Sequence, residues 1–210
     1  MSGLRVAVVD YDAGNLRSVV RALEAAGASP VVTSRPEEVL RADAVVLPGQ
    51  GRCDQAMAAL QARELTEAVH QVIREGRPFF GVCVGLQLLL DSSEEGEATC
   101  LGIIPGRVRK LPAGLKVPHM GWNQVFFHTD HPVFADVPQG SYFYFVHSYY
   151  PDPQDRQMVA ATTTYGLEFC CAAARGNLVA TQFHPEKSGV LGLRLYANFV
   201  RLAAGVGATR

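Results

Sequence analysis

Phe79-Phe80-Gly81-Val82-Cys83-Val84-Gly85-Leu86-Gln87 reads as a short buried strand, a Gly-x-Cys-x-Gly turn and the start of a helix. A strand apolar on both faces that passes straight into a helix belongs to a parallel sheet covered by helices. The sequence on either side keeps that rhythm. Residues 4–10 form an apolar strand pattern, and residues 14–26 place Leu16, Val19, Val20 and Leu23 on one helical face. Residues 30–33 and 43–47 are further strand candidates, and Pro48-Gly49-Gln50-Gly51 breaks the second of them. A helical pattern then covers residues 53–75. Strands alternating with helices predict an α/β fold, flavodoxin-like and doubly wound, around a mostly parallel sheet.

From about residue 100 the pattern changes. Residues 101–108, 123–127, 141–150, 158–165, 170–174 and 178–183 all read as strands with no long helix between them, which predicts antiparallel additions to the same sheet. A last amphipathic helix over residues 188–203 carries Leu191, Leu195, Phe199 and Leu202, ahead of a frayed tail at 205–210. No internal repeat and no linker divides the chain, so residues 1–210 read as one domain.

Composition narrows the function. The 210 residues are 48% hydrophobic, and 19 Lys and Arg stand against 20 Asp and Glu, a formal net charge of -1. A chain of this size buries roughly 70% of its unfolded surface, so its core needs no disulfide or structural metal. A near-neutral balance lacks the cationic excess that phosphate contacts require, so no nucleic-acid partner is expected. The first residues run into a strand with no signal-peptide pattern, and the longest apolar stretch, 79–90, falls short of the ~20 residues that span a bilayer. A cytoplasmic protein with no membrane partner is the expectation. Five cysteines without a Cys-x-x-Cys pair suggest neither a disulfide framework nor a zinc site.

Cys83 has the context of a nucleophile elbow with sulfur in place of oxygen. Flanking glycines allow a tight turn, and a helix N-terminus beneath the side chain favours thiolate. The competing reading is an inert buried thiol. A thiolate nucleophile needs a proton shuttle and an acceptor that orients it. Gln182-Phe183-His184-Pro185-Glu186-Lys187-Ser188 supplies both: Pro185 favours extended backbone at His184, which would direct His184 and Glu186 to one side. Gly49, Gln50 and Gly51 can turn backbone N–H groups toward an oxyanion, with the N–H of Val84 as the second donor. The other polar clusters read as structure. His128-Thr129-Asp130-His131 lacks spaced ligand partners and reads as a solvated loop, Cys170 and Cys171 as buried thiols, and Tyr142-Phe143-Tyr144-Phe145 as a two-sided strand. No metal and no organic cofactor is expected.

With the Cys83 and His184 segments in one chain, the sequence resembles the class I glutamine amidotransferases. Pro118-His119-Met120-Gly121-Trp122-Asn123, the stretch from Tyr142 to Tyr149, and Asp10-Tyr11-Asp12-Ala13-Gly14-Asn15-Leu16 narrow the resemblance. Together they are similar to the glutaminase subunits of imidazole glycerol phosphate synthases. The resemblance implies a Cys83-His184-Glu186 triad that hydrolyses L-glutamine. It implies substrate contacts through Gln87, His147, Ser148, Tyr149 and the Gly49 backbone. It also implies an interface and ammonia passage at Asn15, Met120, Trp122, Tyr144 and Lys187, facing a (β/α)8 cyclase subunit in a heterodimer of histidine biosynthesis. One position departs: Gln50 stands where that family usually has Val, which bears on how the oxyanion loop rests. Two other readings fit the triad less well, a self-sufficient cysteine hydrolase such as a peptidase or γ-glutamyl hydrolase and a non-catalytic subunit of the same shape.

Overall fold

The computed structural model describes residues 3–12 and 14–207, without the side chains of 206 and 207. A nine-stranded sheet forms the centre. Its strands are β1 (Arg5–Val9), β2 (Ser29–Thr33), β3 (Ala44–Gly49), β4 (Phe79–Cys83), β8 (His119–Phe127), β9 (Ser141–His147), β11 (Val159–Thr164), β12 (Glu168–Arg175) and β13 (Leu178–Thr181). They run in the order β2-β1-β3-β4-β13-β12-β11-β8-β9. The first five are parallel and the rest antiparallel; the change of pattern near residue 100 predicts this for β8, β9, β11 and β12, whereas β13, also expected to be antiparallel, runs parallel to β4 and is antiparallel only to β12. β3 and β4 are buried at every position, which is why their sequences read as unbroken apolar runs.

Helix α1 (Leu16–Ala25) packs against α6 (Gly189–Gly207), whereas α2 (Pro36–Arg41), α3 (Cys53–Ala62) and α4 (Leu65–Arg74) pack among themselves. α6 buries Leu195, Tyr196, Phe199 and Val200 along one stripe. The ring of Phe80 on β4 lies 5.5 Å from Tyr196 and 5.3 Å from Phe199. The helix runs four residues past the 203 expected from the sequence. Residues 208–210 of the expected tail lie outside the described residues.

Three further expectations change. Residues 53–75 are two helices, because Glu64 adopts a left-handed φ of 58° between them. The antiparallel strands do not all join one sheet. β5 (Leu90–Ser93), β6 (Ala98–Thr99), β7 (Ile104–Lys110) and β10 (Tyr149–Pro153) form a second sheet in the order β10-β7-β5-β6. The run 141–150 is therefore two strands, β9 and β10, that change sheets at Ser148, whose carbonyl is held by the N–H of Leu111 at 3.0 Å. The sequence continues its alternation through that corner with no glycine or proline to mark it.

Candidate active site

The parallel strands end together. Gly49 at the end of β3 lies in register with Cys83 at the end of β4, and Thr181 on β13 pairs with Val82. Three adjacent strand ends thus present the Gly49 to Gly51 loop, the cysteine and the Gln182 to Ser188 segment on the carboxyl edge, where open α/β sheets hold their ligands.

Cys83 has φ 56° and ψ -109°, an uncommon conformation for a residue with a Cβ. The strain sits on the cysteine itself, not on the flanking glycines, which serve close packing. A Cβ on Gly85 would stand 2.0 Å from the carbonyl oxygen of Leu47, and one on Gly81 2.9 Å from the carbonyl oxygen of Gly85. The helix that follows, α5 (Val84–Gln87), is one turn long, so its dipole is small. The donor that reaches the Cys83 sulfur is Gln182 Nε2, at 3.5 Å.

His184 is extended, with φ -101° and ψ 96°, as Pro185 requires. The chain then coils into a 3-10 turn over Pro185–Lys187 and does not stay extended as the sequence suggested. The turn brings Glu186 Oε1 to 2.8 Å from His184 Nδ1, with both side chains 2% exposed. Ser188 Oγ donates to the His184 carbonyl at 2.6 Å and accepts from the N–H of Tyr144 at 3.0 Å, while the N–H of His184 donates to the Tyr144 carbonyl at 2.9 Å. From behind, Gly192 of α6 packs so tightly on this turn that a Cβ there would meet the Pro185 carbonyl oxygen at 1.8 Å. Burial works against a charged His184, but the neighbouring Cys83 and Glu186 charges outweigh it and raise its pKa to about 10. Its Nε2 is buried and no hydrogen bond of good geometry holds it, with the Cys83 side chain as its neighbour.

Cys83 and His184 line one cavity of about 400 Å³ together with Gln50, Gly51, Val84, Gln87, Tyr144, His147, Ser148, Tyr149 and Lys187. Gly49 lies beneath it: a Cβ there would collide with Tyr11 Oη at 2.5 Å and Val84 Cβ at 2.7 Å. Tyr11 in turn donates to the Pro48 carbonyl at 2.8 Å, pinning the loop from below. Gln50 and Gly51 also border a second hollow of about 420 Å³, walled by Tyr11, Asp12, Arg52 and Gln55, so the loop separates two open spaces.

Glu95, Pro118 and Val146 also line the main cavity; the sequence marks Pro118 and Val146 only as members of longer stretches, and Glu95 not at all. Glu95 lies between β5 and β6, where its carboxylate accepts from the N–H of Cys53 at 2.9 Å. Nothing in Glu94-Glu95-Gly96-Glu97 marks the second of these acids as different from its neighbours; only the second sheet carries it to the cavity.

Asn15, Met120 and Trp122 do not line the cavity. Met120 and Trp122 project from the outer face of β8 at 62% and 56% exposure, and Asn15 ends the loop before α1 with its side chain on Ser18. Trp122 pairs with Tyr144 across the strands, their rings 6.2 Å apart, and Lys187 Nζ lies 5.9 Å over the Tyr144 ring. Tyr144 and Lys187 therefore join the cavity to the exposed Met120 and Trp122 face. His128 and His131 bond Thr162 and the Gly176 carbonyl, each at 2.8 Å. Among the described residues no His, Cys, Asp and Glu cluster is arranged to hold a metal ion, and no helix is long and apolar enough to cross a membrane.

Residues 7–202 match the family described as glutamine amidotransferase class-I. The chain belongs to that family. It is 50% identical over 201 residues to the imidazole glycerol phosphate synthase subunit HisH of Dehalococcoides mccartyi strain CBDB1, covering 95% of this chain and 98% of that one. It is likewise 50% identical over 206 residues to the HisH subunit of Thermosynechococcus vestitus, covering 96% and 99%. Within the amidotransferases it therefore groups with the HisH subunits. The fold agrees with the crystal structure of a glutamine amidotransferase from Thermotoga maritima, at a TM-score of 0.68 with 17% identity over 97% of this chain and 99% of that one.

Proposed function

We propose that the chain, acting as one domain over residues 1–210, hydrolyses L-glutamine with a Cys83-His184-Glu186 triad. The ammonia passes to a cyclase subunit that forms imidazole glycerol phosphate in histidine biosynthesis. The observation that carries the chemistry is the 2.8 Å contact between His184 and Glu186 combined with an unpartnered His184 Nε2 lining the same cavity as Cys83. What supports the biological role is the grouping with HisH subunits of imidazole glycerol phosphate synthase along nearly the whole chain.

The Cys83 thiolate attacks the carboxamide carbon, and the negative charge moves onto the carbonyl oxygen. Backbone N–H groups of the Gly49 to Gly51 loop and of Val84 stabilise that oxygen. His184 gives its Nε2 proton to the leaving nitrogen, ammonia departs and a thioester remains. Water then attacks the thioester with His184 as base, and glutamate leaves as Cys83 is restored. Glu186 holds the imidazole in one tautomer through Nδ1 and stabilises its charged form. Gln87, His147, Ser148 and Tyr149 wall the substrate, and Glu95, which lines the same cavity, pairs with its α-ammonium group. Ammonia leaves past Tyr144, Lys187 and Trp122, with Asn15 and Met120 in the same partner contact. No metal or organic cofactor takes part. Five free cysteines fit a reducing, cytoplasmic setting.

Labelling with an electrophilic glutamine analogue tests the nucleophile: the adduct maps to Cys83 and is lost in Cys83→Ser. Labelling that persists in Cys83→Ser overturns the assignment.

A further inference from the structure

The carbonyl oxygen of Tyr149, at the corner where β9 passes into β10, accepts two side-chain hydrogen bonds. Gln87 Nε2 donates at 2.8 Å and His147 Nδ1 at 2.9 Å. A carbonyl can only accept, so it fixes the direction of every bond beyond it. On one side, Gln87 must present its NH2 group, which also donates to Gln182 Oε1 at 2.9 Å. Gln182 is then left with its own NH2 toward the Cys83 sulfur, at 3.5 Å. The oxygen of the Gln87 amide accepts from the Cys53 thiol at 3.2 Å, so that orientation is satisfied at both ends.

On the other side, His147 carries its proton on Nδ1 and accepts through Nε2 from His119 Nδ1 at 2.8 Å. His119 Nε2 is then an acceptor, and Asn123 Nδ2 lies 3.3 Å from it. The Asn123 amide is independently fixed in that orientation, because the same nitrogen donates to the Thr164 carbonyl at 2.9 Å. The two ends demand the same tautomers. Burial holds both imidazoles neutral, depressing His119 to about 4 and His147, which also feels His119, to about 3. Each ring therefore has one proton and one lone pair, and no alternative direction remains at neutral pH.

His119 belongs to β8, whose neighbouring residues Met120 and Trp122 are exposed on the outer face. We propose that this directed chain makes Gln182 a positioning residue for the Cys83 thiolate, held in place through Gln87, the Tyr149 carbonyl and His147 by His119 on β8. The inference rests on Cys83 being the nucleophile. The route runs through the Tyr149 corner and is separate from the oxyanion loop. A change at His119 reaches His147 through their shared hydrogen bond, and the Tyr149 acceptor connects His147 to Gln87 and Gln182. The titratable groups around the sulfur are His184, with Glu186 behind it, and Tyr11.

The test is the rate of Cys83 alkylation by iodoacetamide in the full chain from pH 5 to 9, located by peptide mapping. Gln182→Met keeps the side-chain length but removes both the donor to Cys83 and the acceptor for Gln87, and slows labelling at neutral pH roughly tenfold, the loss of one bond to a charged acceptor, with the profile moved to higher pH. His119→Phe keeps the ring, which stacks on Tyr165 at 4.1 Å, and slows labelling about threefold, while His119→Gln restores it. Combining His119→Phe with Gln182→Met slows labelling no further than Gln182→Met alone, because both act along one chain. If Gln182→Met fails to fold, Gln182→Glu, which keeps the acceptor toward Gln87 and replaces the donor by a like charge, slows labelling by at least as much. An unchanged rate profile in the folded Gln182 variant overturns the positioning role, and multiplied effects in the double variant overturn the connection to His119. Labelling that survives Cys83→Ser defeats the nucleophile reading instead, so the two failures are distinct.

Discussion

Gly85→Ala puts one methyl group where the fold has no room for it. The added Cβ would lie 2.0 Å from the Leu47 carbonyl oxygen and 3.1 Å from its carbon, against 3.4 Å or more for an ordinary contact. The shortfall is 3.4 minus 2.0, or 1.4 Å, and the obstacle is backbone in the centre of a buried strand, so rotamer changes give no relief. β3 and α5 must separate. Overpacking of this kind costs about 1–3 kcal/mol or more, and at about 2–4 °C per kcal/mol for a chain of this length a melting temperature lower by roughly 6–12 °C is expected at the upper end. The functional loss is larger. Leu47 is two residues before Gly49, and Gly85 is two after Cys83, so the separation moves the Gly49 to Gly51 loop, the proposed oxyanion donor, away from Cys83, the proposed nucleophile. A misplacement of about 1 Å costs roughly 100-fold in rate. Calorimetry and glutamate release from glutamine, in the presence of the cyclase partner, measure the two effects. A variant that melts within about 2 °C of the parent and keeps its rate would refute the claim that this close approach sets the site.

Other expectations follow from the same geometry. Glu186→Gln keeps a hydrogen-bonding group on His184 but removes the charge that opposes burial, so kcat falls roughly 100- to 10,000-fold and the alkaline limb of the pH–rate profile moves to lower pH; an unmoved limb contradicts the pairing. His119 and His147 have folded pKa values below the unfolded value of about 6.5, so the stability they contribute is present above that pH and lost below it. By pH 5 the loss from His147 alone is about 2 kcal/mol, and urea midpoints that stay flat between pH 6.5 and 5 would contradict it. His184 has the opposite sign: its contribution is complete below about pH 6.5 and fades as pH rises through about 10. Gln50→Val changes the glutaminase rate of the chain without its partner, because Gln50 borders both spaces beside the oxyanion loop; an unaltered basal rate defeats this.

The parallel half of the fold was legible because buried parallel strands leave continuous apolar runs, and Gly81-Val82-Cys83-Val84-Gly85 marks the elbow chemically. The pairing of His184 with Glu186 was legible from their two-residue spacing, although a turn and not an extended strand achieves it. The second sheet was not legible. Its strands are short, and β9 and β10 join at Ser148 without a turn residue, so the cavity wall at His147, Ser148 and Tyr149 is a corner that local pattern conceals. Glu95 was hidden for the same reason, since only the pairing of β5 with β6 and β7 brings that acidic turn to Cys53 and the cavity. A strained turn was legible from the elbow motif, but not that the cysteine carries it, because the adjacent glycines suggest that they take the unusual conformation.

The most direct measurement is glutamate release from glutamine by the chain alone, then with the cyclase subunit of an imidazole glycerol phosphate synthase and its nucleotide ligand, with Cys83→Ser as the control. The account predicts a low rate alone, a steep rise in the mixture and no activity in the control. A high rate that ignores the cyclase and its ligand would contradict partner-gated ammonia supply and leave a self-sufficient hydrolase.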